Sequence, residues 1–480
     1  MLTNTLPLLG KKLLLITLVF HFSLTSFNLS ADTTTTMPNP VELPQHWQRT
    51  VLKEPLYNGN ISLVQAGNNT APILFLIHGL GENGMLDWLP VIKQFESDYH
   101  VISIDLPGFG LSDKTIEQLS PSRYAELVHW VIKQFSDKPV IVAGHSMGAA
   151  ISLRFAADYP QQVSKLIMLD TAGVLQRTVF VKHLAKMPES YQWMEQLGPA
   201  KGVFASVLGK FNRFTERLTS KVLTGLDHLP DPAQLLLNLP IAQRYLYRDR
   251  TNLNAALGLI YEDFTAAISQ VKVPTHIIWG EQDRIAPLRT GQVLALRMPN
   301  AQLHVIKNSG HVPMADAPQQ LLVVFQQALQ QPAEQTALPE FIASKQDLNC
   351  HNQTDKKYSG HYQQIRIIGC RYVRLEQLTA ESIYIENAIV SMQDITINSD
   401  ATALTLLNSA VTITNADLHG LIALYSDNSK IDAAGLNLYA TEQTIKLNND
   451  SALYFSVSEI KSPQQQILHG YSLGNRVNLQ

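Results

Sequence analysis

A serine set between two glycines, Gly144-His145-Ser146-Met147-Gly148, constrains this chain more than any other stretch. It follows the apolar run Pro139-Val140-Ile141-Val142-Ala143 and precedes Ala149 to Ala156, which reads as a helix. A strand that turns straight into a helix through Gly-x-Ser-x-Gly is a nucleophile elbow. The turn is so tight that the residues two before and two after the serine must be small, and here both are glycine. It lifts the Ser146 hydroxyl above the sheet, at a helix N-terminus whose backbone N–H groups favour developing negative charge.

An activated serine needs a base to take its proton and an acid to orient that base. With this elbow the chain order is serine, carboxylate, histidine. The strand His276-Ile277-Ile278-Trp279 runs into Gly280-Glu281-Gln282-Asp283, and Leu303-His304-Val305-Ile306 runs into Asn308-Ser309-Gly310-His311. Each puts one candidate at the carboxyl end of a strand, on the side of Ser146. Ser146 is read as nucleophile, His311 as general base and then acid, and Asp283 as the group that holds the imidazole tautomer. Glu281 and Asp170 are the rival carboxylates, and Asp283 is preferred. His78, His145, Asp105 and Ser112 are read as shaping nearby loops, and His304 as structural.

The runs Ile73–Ile77, Val101–Ile104, Val140–Ala143, Lys165–Leu169, His276–Trp279 and Gln302–Ile306 are continuous buried-strand candidates separated by amphipathic segments. That alternation implies a doubly wound, mostly parallel α/β sheet covered on both faces, with ligands at the carboxyl ends of its strands. The pattern breaks between Gly173 and Ile268, where helix-like segments read as a cap inserted over the sheet. A Gln-, Pro- and Ala-rich stretch, 330–345, reads as a linker.

Residues 346–480 have another texture. Ile383-Tyr384-Ile385-Glu386-Asn387 has counterparts ending at Asn408, Asn428 and Asn449, in steps of 21, 20 and 21 residues. Each asparagine is followed by an apolar alternation: Val390 and Met392, Val411 and Ile413, Ile431 and Ala433, Leu453 and Phe455. A fixed period near twenty with short alternating strands is a solenoid signature. An all-β parallel β-helix fits best, with asparagine at the turns; a small β-sandwich is the rival. Cys350 and Cys370, the only cysteines, both fall in this part.

The first thirty-odd residues place Lys11-Lys12 before the apolar run Leu13–Phe20, with a small-residue exit at Leu29-Ser30-Ala31. This is the layout of a secretory signal peptide, 1–31, with an uncleaved N-terminal anchor as the alternative. Export, to a periplasmic or secreted location, makes a Cys350–Cys370 disulfide plausible, worth about 3 kcal/mol on the chain-entropy argument. The net charge of −3 gives no reason to expect nucleic acid as a partner.

Taken together, His78-Gly79-Leu80-Gly81, Asp105-Leu106-Pro107-Gly108-Phe109-Gly110, Gly144-His145-Ser146-Met147-Gly148, Gly280-Glu281-Gln282-Asp283 and Gly310-His311 resemble the α/β-hydrolase fold family over residues 47–329. The resemblance implies a serine hydrolase that cleaves an ester or thioester through an acyl-enzyme, with no metal or organic cofactor. It implies an oxyanion hole built from the backbone N–H groups of Leu80 and Met147, each worth about 3–4 kcal/mol of barrier lowering. Gly79 lets that backbone approach the substrate. Phe109, Trp88 and Met147 are assigned to an acyl pocket or to core. A small or medium acyl substrate is expected, and acyltransferase, peptidase or perhydrolase chemistry uses the same triad. The solenoid lies outside the resemblance; it is read as a polysaccharide- or surface-binding module, or as a stabilising appendage.

Overall fold

The computed structural model describes residues 43–81, 83–115, 117–175 and 251–462, with backbone alone at 465–468, 472–473 and 476–477. The signal-peptide segment and most of the expected cap lie outside the described residues. Among the described residues, no helix is long and apolar enough to cross a membrane.

Strands β1 (Gln48–Lys53), β2 (Asn60–Ala66), β3 (Ile73–Ile77), β4 (His100–Ile104), β5 (Val140–His145), β6 (Val163–Leu169), β7 (Thr275–Gly280) and β8 (Ala301–Ile306) form one sheet. Its order is β1-β2-β4-β3-β5-β6-β7-β8. The first two strands pair antiparallel, and the rest from β4 onward run parallel. The helices are α1 (Leu89–Phe95), α2 (Pro121–Lys133), α3 (Met147–Asp158), α4 (Thr251–Tyr261), α5 (Thr265–Gln270), α6 (Leu288–Arg297), α7 (Pro313–Asp316) and α8 (Pro318–Gln330). The central strands carry apolar side chains on both faces, as in Leu74, Phe75, Leu76 and Ile77, all fully buried. Parallel strands covered by helices on both sides need that pattern. Every parallel strand therefore ends on one edge, where the loops after β3, β5, β7 and β8 meet.

Beyond α8 the chain runs without regular structure from 332 to 347 and then coils. Strands β9 (Leu348–His351), β10 (Lys357–Ile368), β11 (Arg371–Glu386), β12 (Ile389–Asn398), β13 (Thr402–Leu407), β14 (Ala410–Asp427), β15 (Lys430–Asn448), β16 (Ala452–Ser456) and β17 (Glu459–Ser462) follow. Their pairings are parallel, and β11, β12, β14 and β13 close a ring. One inward ladder reads Val373, Val390, Val411, Ile431 and Leu453, each in register with the next and each buried. Stacking like on like in this way gives each coil a partner for its apolar face.

The repeating asparagines sit at the corners. Asn387, Asn408, Asn428 and Asn449 take φ of 52°, 48°, 48° and 49°, the left-handed region that asparagine tolerates better than most residues. Asn428 Nδ2 donates to Asn408 Oδ1 at 2.7 Å. Ser409, Ser429 and Ser451, beyond three of these corners, add a second, buried ladder: Ser409 N–H donates to Ser429 Oγ at 2.9 Å, and Ser429 N–H to Ser451 Oγ at 3.3 Å. A disulfide joins Cys350 to Cys370 across one coil.

His46–Gln480 form one unit, and α6 carries the seam between sheet and solenoid. Arg289 donates to Thr414 Oγ1 at 2.8 Å and to Asp432 Oδ1 at 3.1 Å. Arg297 donates to Asp417 Oδ1 at 3.2 Å and to the Gly435 carbonyl. Asn415 Nδ2 returns a bond to the Gln292 carbonyl at 3.1 Å. The 332–347 stretch lies along the solenoid too, where Thr396 Oγ1 donates to the Pro339 carbonyl at 2.8 Å.

Candidate active site

Ser146 joins β5 to α3 with φ 54° and ψ −116°. A non-glycine residue held there is strained, at a cost of about 1–3 kcal/mol. Both sides of the turn are clamped: Ser146 N–H donates to the Leu169 carbonyl at 2.9 Å, and the Ser146 carbonyl accepts from Ala172 N–H at 3.3 Å. A Cβ at Gly144 or Gly148 would fall 2.2 Å from the Gly148 or the Ile77 carbonyl oxygen. The elbow is thus confined to glycine at both positions by the backbone itself.

The structure brings Ser146, His311 and Asp283 together. Ser146 Oγ donates to His311 Nε2 at 2.9 Å, and His311 Nδ1–H donates to Asp283 Oδ2 at 2.7 Å. The Asp283 side chain is fully buried, and that of His311 is 12% exposed. Asp283 Oδ1 accepts from Ile285 N–H at 2.8 Å and Ala286 N–H at 3.0 Å. The carboxylate is therefore fixed by its own loop before it meets the imidazole. Glu281, the rival two residues earlier, instead accepts from Asn308 N–H at 3.3 Å at an exposed position.

The His311 loop is tied from three sides. Gly310 N–H donates to Asp316 Oδ2 at 2.8 Å. The Ser309 carbonyl accepts from Gln282 N–H at 2.8 Å. His145 Nε2–H donates to the His311 carbonyl at 2.7 Å. Burial and the neighbouring His311 push the His145 pKa down to about 3, so its ring stays neutral and keeps that tautomer. His145 thus does more than shape its own loop. Its long-range bond leaves no trace in spacing, and Asp316 is visible only as an acid five residues after His311.

Met147 opens α3 directly after Ser146, and Leu80 follows Gly79 in the loop after β3. The Leu80 loop is held by its own hydrogen bonds: His78 Nδ1–H donates to the Gly79 carbonyl at 2.6 Å, while Nε2 accepts from Leu106 N–H at 3.0 Å. Gly79 faces the nucleophile, and a Cβ there would lie 2.9 Å from Ser146 Cβ. Asp105 Oδ1 and Oδ2 accept from Met85 N–H at 2.7 Å and Leu111 N–H at 2.9 Å, holding the following turn.

Phe109 and Trp88, assigned to an acyl pocket or to core, are both buried. Phe109 is 2% exposed and meets the His78 ring edge-on at 5.3 Å. Trp88 is wholly buried and meets Phe325 of α8 at 6.3 Å. Large apolar rings near a site in sequence are drawn into the core by the area they bury.

Residues 72–318 match the family described as alpha/beta hydrolase fold. An uncharacterised protein of Mycobacterium tuberculosis is 29% identical over 276 residues, which span 55% of this chain and 78% of that protein. The 2-hydroxy-6-oxononadienedioate/2-hydroxy-6-oxononatrienedioate hydrolase of a Pseudomonas species is 28% identical over 259 residues, 53% of this chain and 86% of its own. Lipase 1 of Psychrobacter immobilis is 28% identical over 256 residues, 52% of this chain and 74% of its own.

Buried histidines give the fold an acid limit. His276 in β7 donates through Nε2–H to the Gln331 carbonyl at 3.1 Å and accepts at Nδ1 from His304 at 3.0 Å. Burial, with the His304 and Lys165 charges, pushes its pKa down from 6.5 to about 4. A depressed histidine contributes stability that is complete above the unfolded pKa and is lost as pH falls through the folded one. Thermal unfolding midpoints should therefore show a smaller drop between neutral pH and pH about 4 in His276→Gln than in the parent, by the same linkage. Equal drops in the two proteins would remove His276 from this account.

Proposed function

Because the chain belongs to the α/β-hydrolase fold family and is a hydrolase, we propose that it is an exported serine esterase acting on a carboxylic ester or thioester. The observation that carries this reading is the unbroken hydrogen-bond chain from Ser146 through His311 to Asp283. Ser146 Oγ attacks the acyl carbon as His311 Nε2 takes its proton. The oxyanion turns toward the N–H groups of Leu80 and Met147. His311 then protonates the leaving alcohol or thiol, and later activates the water that releases the acid. Asp283 keeps the imidazole in the productive tautomer and offsets its charge in the transition state.

The likeness to Lipase 1 supports ester chemistry over peptidase chemistry. Export rests on the basic and apolar N-terminal run, and a disulfide in the solenoid agrees with an oxidising compartment. The expected test is direct. A fluorophosphonate probe should label the parent and not Ser146→Ala. Hydrolysis of p-nitrophenyl esters should fall about 10⁴-fold or more in Ser146→Ala and in His311→Ala. Labelling that survives in Ser146→Ala would reject the nucleophile.

A polysaccharide partner for the solenoid is the second reading, and a cavity of about 650 Å³ favours it. It is walled by successive coils and by Leu175 and Arg289 of the hydrolase region. Arg374, Ser391, Thr412, Asp432 and Tyr454 form one outward row in register across it, and Tyr372 is 59% exposed at its margin. Short hydroxyls, mixed charges and a tyrosine face suit a sugar chain. Calorimetric titration of full-length Ser146→Ala with soluble xylan, pectin and chitosan fragments should show binding that Tyr372→Ala weakens. Absence of heat with every polymer would leave the solenoid as a stabilising appendage.

A further inference from the structure

A second carboxyl stands beside the one that orients His311. Asp170 follows β6 with φ of 43° and no solvent exposure. Its Oδ1 accepts from Gly280 N–H at 2.8 Å. Its Oδ2 is buried and receives no donor among the described residues. Polar atoms of Asp170, Asp283 and His311 all lie within 4.8 Å of one another.

Two buried carboxyl groups this close cannot both ionise at little cost, so one proton belongs to the pair. Which group carries it follows from the donors. Asp283 is served by Ile285 N–H, Ala286 N–H and His311 Nδ1–H. Asp170 is served by Gly280 N–H alone. The better-served group is the better anion. We propose that Asp170 is a positioning residue whose protonated carboxyl donates its O–H to Asp283 and locks that carboxylate against His311.

The surroundings agree. Burial, and after it the charge and contact of Asp283 with a smaller push from Asp316 of α7, hold the Asp170 carboxyl well above the usual carboxylate range. The Gly280 N–H opposes this. The arrangement gives Asp283 a fourth donor without putting a second negative charge beside His311. The imidazolium formed during catalysis is then matched by one carboxylate rather than two. Asp170 touches neither substrate nor the reacting atoms, and acts through Asp283 only.

The inference rests on the Ser146–His311–Asp283 reading for its catalytic consequence, but its protonation state can be read without activity. Infrared difference spectra of the full-length parent near neutral pH should contain a protonated-carboxyl band that shifts in D₂O and is missing from Asp170→Asn. With p-nitrophenyl acetate, Asp170→Ala should lose about ten- to a hundredfold in kcat with KM little changed, as for other misplacements of a catalytic group. Asp170→Asn, which keeps a donor and an acceptor, should recover most of that loss and leave the acid limb of the pH–rate profile in place. A parent without the band would overturn the proposal. So would an Asn variant that shifts the acid limb, or an Ala variant as active as Asn. If Asp170→Ala does not fold, the band and the Asn profile decide. If no ester is turned over, the band alone decides, and only the esterase reading falls.

Discussion

Everything at the site depends on one strained turn. Ser146 can hold a left-handed backbone between β5 and α3 because its N–H and its carbonyl are both anchored to the chain after β6, at Leu169 and Ala172. Those anchors exist only when β5 and β6 lie side by side in parallel register. The glycines at 144 and 148 then allow α3 to pack within reach of β3 and its loop. Sheet, elbow and helix are one mechanical object, and the nucleophile is its apex.

The partners of Ser146 are held by a different principle. His311 and Asp283 sit on loops, which are the mobile parts of most folds. Here each loop is bound by hydrogen bonds to the other and to the elbow: Gln282 to Ser309, His145 to His311, Gly310 to Asp316. The imidazole therefore needs no substrate to find its place between Asp283 and Ser146, and little reorganisation is left for the reaction.

Much of this was legible in the sequence, for a physical reason. A nucleophile elbow, a buried strand and an asparagine corner are local objects, specified by residues within a few positions of one another. Gly144, Ser146 and Gly148 announced the turn, and Val411, Ile413 and their repeats announced the coils and their register. What was not legible is held by contacts distant in sequence. The His145–His311 bond spans 166 residues and the Arg289–Asp432 pair 143, and no periodicity records either. The serine ladder rests on single residues, Ser409, Ser429 and Ser451, that carry no hydropathy pattern of their own. Trp88 lies near the Gly79–Leu80 loop in sequence, and its ring is packed in the core against Phe325.

The seam along α6 gives the solenoid a fixed place beside the hydrolase region. Arg289 and Arg297 each reach backbone carbonyls as well as carboxylates of the coils, and such multiple charge-assisted bonds confer direction as well as attraction. α6 begins just after the Asp283 loop, so the same helix serves both the orienting acid and the attachment of the coils. The central claim remains that Ser146 forms the covalent intermediate. Rapid acid quench of the full-length protein with a p-nitrophenyl ester, followed by intact and peptide mass measurement, tests it most directly. The account predicts one acyl group per chain, on the peptide that contains Ser146 and absent from Ser146→Ala. Turnover of the ester with no adduct, or an adduct on any other residue, would contradict it.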